Sequence, residues 1–241
     1  MSFDTFKRCL KKVPKSVRID FSGMAEPWLN KNCTKMLLFA YKQGYKKIAV
    51  YTTGVGMTLA DVRKIENIPF EIFYVHLTDV CGNTKIKVDK QYLKVLKGIK
   101  KSKIRKIEFM AMGKVHPKLR SMFSDVSKDL KMTTRAGNIK FLPQVSKSGP
   151  ITCSWRHWLQ HNVLLPNGDI LLCCADYGRT QVLGNLLRNN YEDLFTGKEF
   201  KNVLELLKNE TKGDIICRHC EYAIGYTRNP FLNKIQKWFL K

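Results

Sequence analysis

Two periods of apolar and polar positions alternate along the first part of the chain. Strand-type runs fall at 17–21, 47–52, 70–77, 104–110 and 138–143. Helix-type runs separate them at 30–43, 59–65, 88–99 and 117–130. In the first of these helices Met36, Leu37, Phe39 and Ala40 make the apolar side, and Gly44 supplies the stop. Residues 2–12 read as a helix ahead of the first strand. Strands alternating with helices predict βαβ units on a parallel sheet. A full eight-unit barrel takes about 250 residues. The expected fold is therefore α/β, a partial (β/α) barrel of parallel strands lacking its first strand, over 1–145.

The polar, breaker-containing stretch 144–150 marks a domain boundary. Beyond it the pattern changes. Val163-Leu164-Leu165 and Ile170-Leu171-Leu172 flank Pro166-Asn167-Gly168-Asp169, and Asn-Gly between apolar runs predicts a β-hairpin. A short helix is expected over 199–207, followed by Cys217-Arg218-His219-Cys220. Residues 150–241 thus read as a small cysteine-rich domain with a hairpin and a C-terminal helix. The tail over 230–241 sets Phe231, Leu232, Ile235, Trp238 and Phe239 among lysines. It predicts an amphipathic helix that docks on the protein or meets an anionic membrane surface.

At 241 residues and 44% hydrophobic, the chain has enough apolar material for a core, which excludes a disordered or fibrous polymer. No run reaches the roughly 18 apolar residues of a membrane span, and the first residues have no signal-peptide stretch. A cytoplasmic, reducing setting is expected. The net charge of +23 comes mostly from lysines spread over the whole chain. It describes either a solvated lysine surface or an attraction to a polyanionic partner such as nucleic acid.

Eight cysteines are unevenly placed. Cys9, Cys33 and Cys81 are scattered and read as small buried hydrophobes. Cys153, Cys173, Cys174, Cys217 and Cys220 crowd the last third. Spaced pairs in a chain without an export signal point to metal before disulfides. Cys217-x-x-Cys220 is a chelating pair, and a hairpin end can bring Cys153 and Cys173 to the same centre. Cys174 follows Cys173, and neighbouring strand residues point to opposite faces. One of the two is therefore expected at the centre, and Cys173 is the choice. His157 and His219 are alternative ligands. Four thiolates suit Zn²⁺ or an iron–sulfur cluster equally. Trp155, Trp158 and Tyr177 lie nearby in sequence and either cover the centre, the preferred reading, or stack on a substrate.

In the first part, Phe21-Ser22-Gly23-Met24-Ala25-Glu26-Pro27 follows a strand. Glu26 then sits at a strand's C-terminal end, where parallel α/β folds bind ligands. It is either a partner for a ligand ammonium or a loop glutamate at a helix entry. Tyr51-Thr52-Thr53-Gly54 follows the next strand and either lines the same mouth or makes a plain turn. Arg135 precedes the last strand and either faces that mouth or lies on the surface.

Gly23-Met24-Ala25-Glu26-Pro27 and Thr52-Thr53-Gly54 resemble the Gly-Gly-Glu-Pro-like and Thr-Asn-Gly-like segments of radical S-adenosylmethionine enzymes. Cys153, Gly168 and Cys173, then Leu183-Gly184-Asn185-Leu186, Phe200 and Cys217-x-x-Cys220, resemble the SPASM/twitch auxiliary-cluster domain in its shorter, one-cluster form. The resemblance implies an auxiliary [4Fe–4S] cluster on Cys153, Cys173, Cys217 and Cys220. It also implies S-adenosylmethionine contacts at Gly23, Glu26, Pro27, Thr53 and Gly54. A complete relative would be a radical-based modifying enzyme acting on a substrate such as a peptide or sugar, fed by an electron-donor protein. The sequence departs from the family in one respect. The CX3CX2C motif that holds the catalytic cluster is absent, so the chain is expected to begin inside the catalytic domain, from an internal start or as a natural remnant. The alternative is a non-catalytic iron–sulfur or Cys₄ zinc module.

Overall fold

The computed structural model describes residues 1–82, 85–124, 126, 133–154, 161–209 and 213–225. Chain packing divides it into two units. One is Met1–Met132 with Leu164–Asp169 and Asn185–Tyr191. The other is Thr133–Val163, Ile170–Gly184 and Glu192–Lys241.

In the first unit, α1 (Phe3–Leu10), α2 (Cys33–Lys42), α3 (Leu59–Ile65) and α4 (Lys90–Lys101) alternate with β1 (Ile19–Phe21), β2 (Ile48–Thr52), β3 (Ile72–Leu77) and β4 (Ile107–Ala111). The strands lie in the order β1-β2-β3-β4, and every neighbouring pair is parallel. The parallel α/β reading of the sequence holds. Helices α1, α3 and α4 start where a short polar side chain takes an orphan amide. Ser2 accepts from Thr5 N, Asp89 accepts from Tyr92 N, and Thr58 with Asp61 closes a capping box. On α4, Tyr92, Val95, Leu96 and Ile99 recur at helical spacing and are buried. They join Phe21, Val50, Phe73, Val75 and Leu77 from one face of the sheet in a single core.

The sequence places a fifth strand at 138–143, and the structure has turns there instead. The cause is the backbone ahead of it. Arg135, Ala136 and Gly137 have φ of +52°, +52° and +79°, three successive left-handed residues that fold the chain back. The Gln144 side-chain amide then donates to the carbonyls of Ile139 and Leu142, which a strand would have paired. Of the helix expected over 117–130, Pro117–Leu119 forms a single 3₁₀ turn, and 125 and 127–130 lie outside the described residues.

The remaining strands make two small sheets. In one, β5 (Ile151–Cys153) pairs antiparallel with β9 (Ala223–Gly225). The other has the order β6 (Val163–Leu164), β7 (Asp169–Leu171), β8 (Val182–Asn185). The expected Asn-Gly turn joins β6 to β7. Gly168 takes φ +91°, and its amide donates to Leu165 O at 3.0 Å. A side chain there would strike Leu187 at 2.8 Å and Asn185 at 2.9 Å, so only glycine fits. Helices α5 (Asp193–Thr196) and α6 (Lys198–Lys208) follow. No helix among the described residues is long and apolar enough to cross a membrane. The tail over 230–241 lies outside the described residues.

Candidate iron–sulfur site

The cysteine site is assembled by the β5–β9 ladder. Cys153 ends β5 opposite Ala223, and Ser154 N donates to Tyr222 O at 2.7 Å. Ala223 N in turn reaches back to Cys220 O at 3.1 Å, so Cys153 and the CxxC pair stay in register across some 70 residues of sequence. The pair itself sits on a 3₁₀ turn, Ile216–His219, where Cys220 N donates to Cys217 O at 3.3 Å. Between the two cysteines, Arg218 turns inward and is buried. Its guanidinium donates to Gly149 O at 2.8 Å, Lys147 O at 3.2 Å and Leu206 O at 2.6 Å. This arginine ties the knuckle to the 147–149 segment and to α6, and the sequence reading gave it no role.

Cys173 lies just beyond β7, its sulfur accepting from Ala175 N at 3.4 Å. The opposite-faces expectation for Cys173 and Cys174 is corrected. The strand ends at Leu171, so alternation no longer applies, and each thiol lies near enough to shift the other's titration. The structure therefore brings a fifth thiol to the site.

Burial pushes the Cys217 thiol up, and the neighbouring Cys173, Cys220 and Cys153 push it further. Burial also raises Cys220, with Cys173 adding to the effect. Cys174 goes the other way. Its hydrogen bond from Cys173 lowers it, and the Arg135 guanidinium helps. Cys173, Cys220 and Cys153 therefore lie near enough to Cys217 to oppose its ionisation. Sulfur alone, half-buried or deeper, is a donor set that fits an iron–sulfur cluster. Among the described residues, no three Cys, His, Asp or Glu side chains gather as closely as a single metal ion needs.

The other expected residues fall as follows. His219 engages Asp214 through Nε2 at 2.9 Å. Tyr177 is at the surface, with Arg135 over its ring at 5.6 Å. His157, Trp155 and Trp158 lie outside the described residues. Cys9 and Cys33 are buried, while Cys81 is exposed.

In the first unit, Glu26 caps the 3₁₀ turn Pro27–Leu29, accepting from Trp28 N at 3.2 Å. The same oxygen accepts from the Thr52 hydroxyl at 2.5 Å. The other oxygen accepts from Thr53 N at 2.6 Å and Thr53 Oγ1 at 2.7 Å. A carboxylate has about four acceptor positions, and here four donors fill them. Gly54 N donates to Thr52 Oγ1 at 2.9 Å, which shapes the turn after β2. Glu26, Pro27, Thr53 and Gly54 thus form one connected strand-end constellation, with Gly23 just ahead of it at φ +126°, yet its side-chain acceptor does not fit a ligand ammonium as it stands. A second feature went unseen in sequence: Tyr51, Tyr74 and Glu108 form a row across three strands. The two rings stack at 5.2 Å, and Tyr74 bonds Glu108. Its only sequence signal is register, which the strands fix on pairing.

Residues 153–221 match SPASM, an iron–sulfur cluster-binding domain family. The match begins on Cys153 and closes just after Cys220. The whole chain also resembles solved structures. BtrN in complex with AdoMet and 2-DOIA is 17% identical, with a TM-score of 0.62, over 92% of this chain and 80% of that one. The anSMEcpe structure with bound AdoMet and Kp18Cys peptide is 14% identical, with a TM-score of 0.57, over 100% and 88%. Residues 153–221 are similar to the SPASM iron–sulfur domain family, and the chain as a whole shares the fold of these solved structures. No curated protein matches the sequence. In and beside the matched segment, the β5–β9 ladder, the CxxC turn and the Cys173 loop carry the cysteines.

Proposed function

We propose that this chain is an iron–sulfur protein that binds one auxiliary [4Fe–4S] cluster through Cys153, Cys173, Cys217 and Cys220. One observation carries the reading. The SPASM match spans these four cysteines, and all four belong to one packed unit. A lone Zn²⁺ would draw its sulfurs to about 2.3 Å from one point. A cluster fills the space between its ligands, and among the described residues no three such side chains gather as closely as a single ion needs. When bound, the cluster supplies one-electron redox chemistry. The protein's part is to hold the thiols: the ladder fixes Cys153 against Cys220, and Arg218 pins the CxxC turn.

The fold-family cofactor S-adenosylmethionine enters the reading differently. The solved relatives BtrN and anSMEcpe are described with AdoMet bound. The 241 residues here contain no CX3CX2C spacing, and the Glu26 carboxylate is saturated by its own loop and strand. We derive no S-adenosylmethionine chemistry from them. The role is electron handling by the SPASM cluster in a peptide- or sugar-modifying system.

Anaerobic purification followed by iron and acid-labile sulfide assay tests this. About four of each per chain are expected, with a brown chromophore bleached by dithionite. Stoichiometric zinc without sulfide would overturn the cluster reading.

A further inference from the structure

The loop that leaves Cys174 buries a carboxylate among the cysteine-bearing segments. Asp176 is 0% exposed. Its main-chain amide donates to Cys173 O at 3.1 Å, and one residue earlier Ala175 N donates to Cys173 Sγ at 3.4 Å. The carboxylate therefore sits on the same tight turn as an expected ligand. Its oxygens are filled from the far end of the loop. Oδ1 accepts from Thr180 N at 3.0 Å and from Thr180 Oγ1 at 3.1 Å, and Oδ2 accepts from Gln181 N at 2.8 Å. Three donors aimed at two oxygens suit a carboxylate, which only accepts.

This charge differs from the others around the thiols. Asp176 lies near enough to Cys217 to oppose its ionisation, Glu221 does the same to Cys220, and Arg135 favours ionisation of Cys174. Arg135 is exposed and Glu221 half-buried, so water and salt screen both. Arg218, the other buried charged side chain of this unit among the described residues, directs its guanidinium to the carbonyls of Lys147, Gly149 and Leu206. Asp176 thus combines negative sign, full burial and proximity to a ligand thiol. Stapling the loop needs acceptor atoms there, not a charge. Burying an anion beside thiols that must ionise to bind iron costs energy, and such a cost is met where the charge has a use.

We propose that Asp176 is a fixed buried charge that lowers the reduction potential of the cluster held by Cys153, Cys173, Cys217 and Cys220. The inference rests on the cluster reading above. Adding one electron to a four-thiolate centre adds one negative charge, and a nearby carboxylate opposes that addition. Burial leaves little water to weaken the effect. Thr180 moderates it, because its amide and hydroxyl both draw on Oδ1. Ala175 N acts in the opposite sense, since a donor to a ligand sulfur eases reduction. The turn over 173–176 therefore carries two opposed settings of one quantity. Asp176 is a positioning residue in this scheme, acting through the field at the thiols.

The test is a redox titration of the full chain carrying its cluster, with dithionite as electron donor and electron paramagnetic resonance as readout. Asp176→Asn keeps the shape and loses the charge. It should favour the reduced form about tenfold, a rise of about 59 mV for a one-electron couple. Thr180→Val keeps the charge and removes one donor, so it should move the midpoint the other way, by less. Arg179→Gln alters an exposed charge on the same loop and should leave the midpoint unchanged, which separates a local field from the net charge of +23. Iron, sulfide and resonance line shape should match wild type in all three. An unchanged midpoint in Asp176→Asn with its cluster intact overturns the proposal. So does an equal shift in Arg179→Gln, or a shift of Thr180→Val in the same direction as Asp176→Asn, which would mark a loosened loop. Should Asp176→Asn fail to fold, Thr180→Val decides: a fall in midpoint supports the proposal and any other result overturns it. A wild-type chain without iron and sulfide defeats the cluster reading and this inference with it, whereas a loaded wild type with an indifferent Asp176→Asn defeats the inference alone.

Discussion

Thr53 gives Glu26 two hydrogen bonds to the same carboxylate oxygen, from its amide at 2.6 Å and from its hydroxyl at 2.7 Å. With the Thr52 and Trp28 bonds, this couples the loop after β1 to the end of β2. Two consecutive strand ends are held by one side chain. Such a carboxylate is a brace, and removing it leaves a buried Thr52 hydroxyl and a main-chain amide without their acceptor.

Glu26→Ala is therefore expected to cost about 2 to 3 kcal/mol, because hydrogen bonds to a charged group are the stronger kind and the orphaned donors are penalised. Thr53→Ala, which removes only the hydroxyl, should cost about 1 kcal/mol. Urea unfolding midpoints check both. Equal stability of Glu26→Ala and wild type would show that the brace contributes nothing.

Asp61 is a second carboxylate tied to this region. It accepts from Thr34 Oγ1 at 2.7 Å and closes the capping box with Thr58, while Trp28 Nε1 donates to Thr34 Oγ1 at 3.0 Å. Burial pushes its carboxyl up, but the bonds from Thr34 and Thr58 outweigh burial and hold it below its ordinary 3.8. A depressed folded value means the stabilisation is complete above pH 3.8 and is lost as pH falls through the folded value. Asp61→Ala should cost about 1 kcal/mol at pH 7, the ordinary loss for a cap. The gap to wild type should close in acid, as followed by thermal melts from pH 7 to pH 2.

Cys33 is buried, and burial raises its thiol well above 9.0, with Glu26 and Asp61 adding negative charge nearby. The raised folded value makes its contribution complete below pH 9 and lost as pH climbs from there. Cys33→Ala should accordingly flatten the alkaline loss of stability. In native protein at pH 8, a thiol-labelling disulfide reagent should modify exposed Cys81 and leave Cys33 and Cys9 untouched until unfolding. Fast labelling of Cys33 in native protein would contradict its burial.

The ligand set separates cleanly by substitution. Cys153→Ala, Cys217→Ala and Cys220→Ala should each abolish the brown chromophore and most bound iron, whereas Cys9→Ala and Cys81→Ala should retain both. Cys173→Ala should lose the cluster and Cys174→Ala keep it, read by iron content and electron paramagnetic resonance of the reduced protein. The reverse pattern would assign the ligand to Cys174.

Some of this could be read directly from residue order. Helices at 33–42, 59–65 and 90–101 follow from caps and apolar spacing, which are local properties. The Asn167-Gly168 turn is equally local, since only glycine accepts that backbone. The false strand at 138–143 shows the limit of such reasoning. Its apolar residues suit a strand, but the left-handed run at 135–137 lies just outside the window and overrides them. Arg218 was missed for a related reason. A lone arginine in a CxxC loop carries no signal, and its burial depends on carbonyls of Lys147, Gly149 and Leu206 that folding brings together. The opposite-face argument for Cys173 and Cys174 lost its basis because alternation was extended past Leu171, where the strand stops.

What the sequence by itself determined is therefore what short-range chemistry encodes: the βα rhythm, the glycine turn, and the sulfur donors with their CxxC spacing. Tertiary structure alone decided which groups meet. It paired Cys153 with the CxxC turn, filled the Glu26 carboxylate from Thr52 and Thr53, and turned Asp176 inward while Arg135 and Arg179 stayed outside. The reason is that hydrogen bonding and charge act over a few ångströms, and only the folded chain sets those distances between residues far apart in sequence.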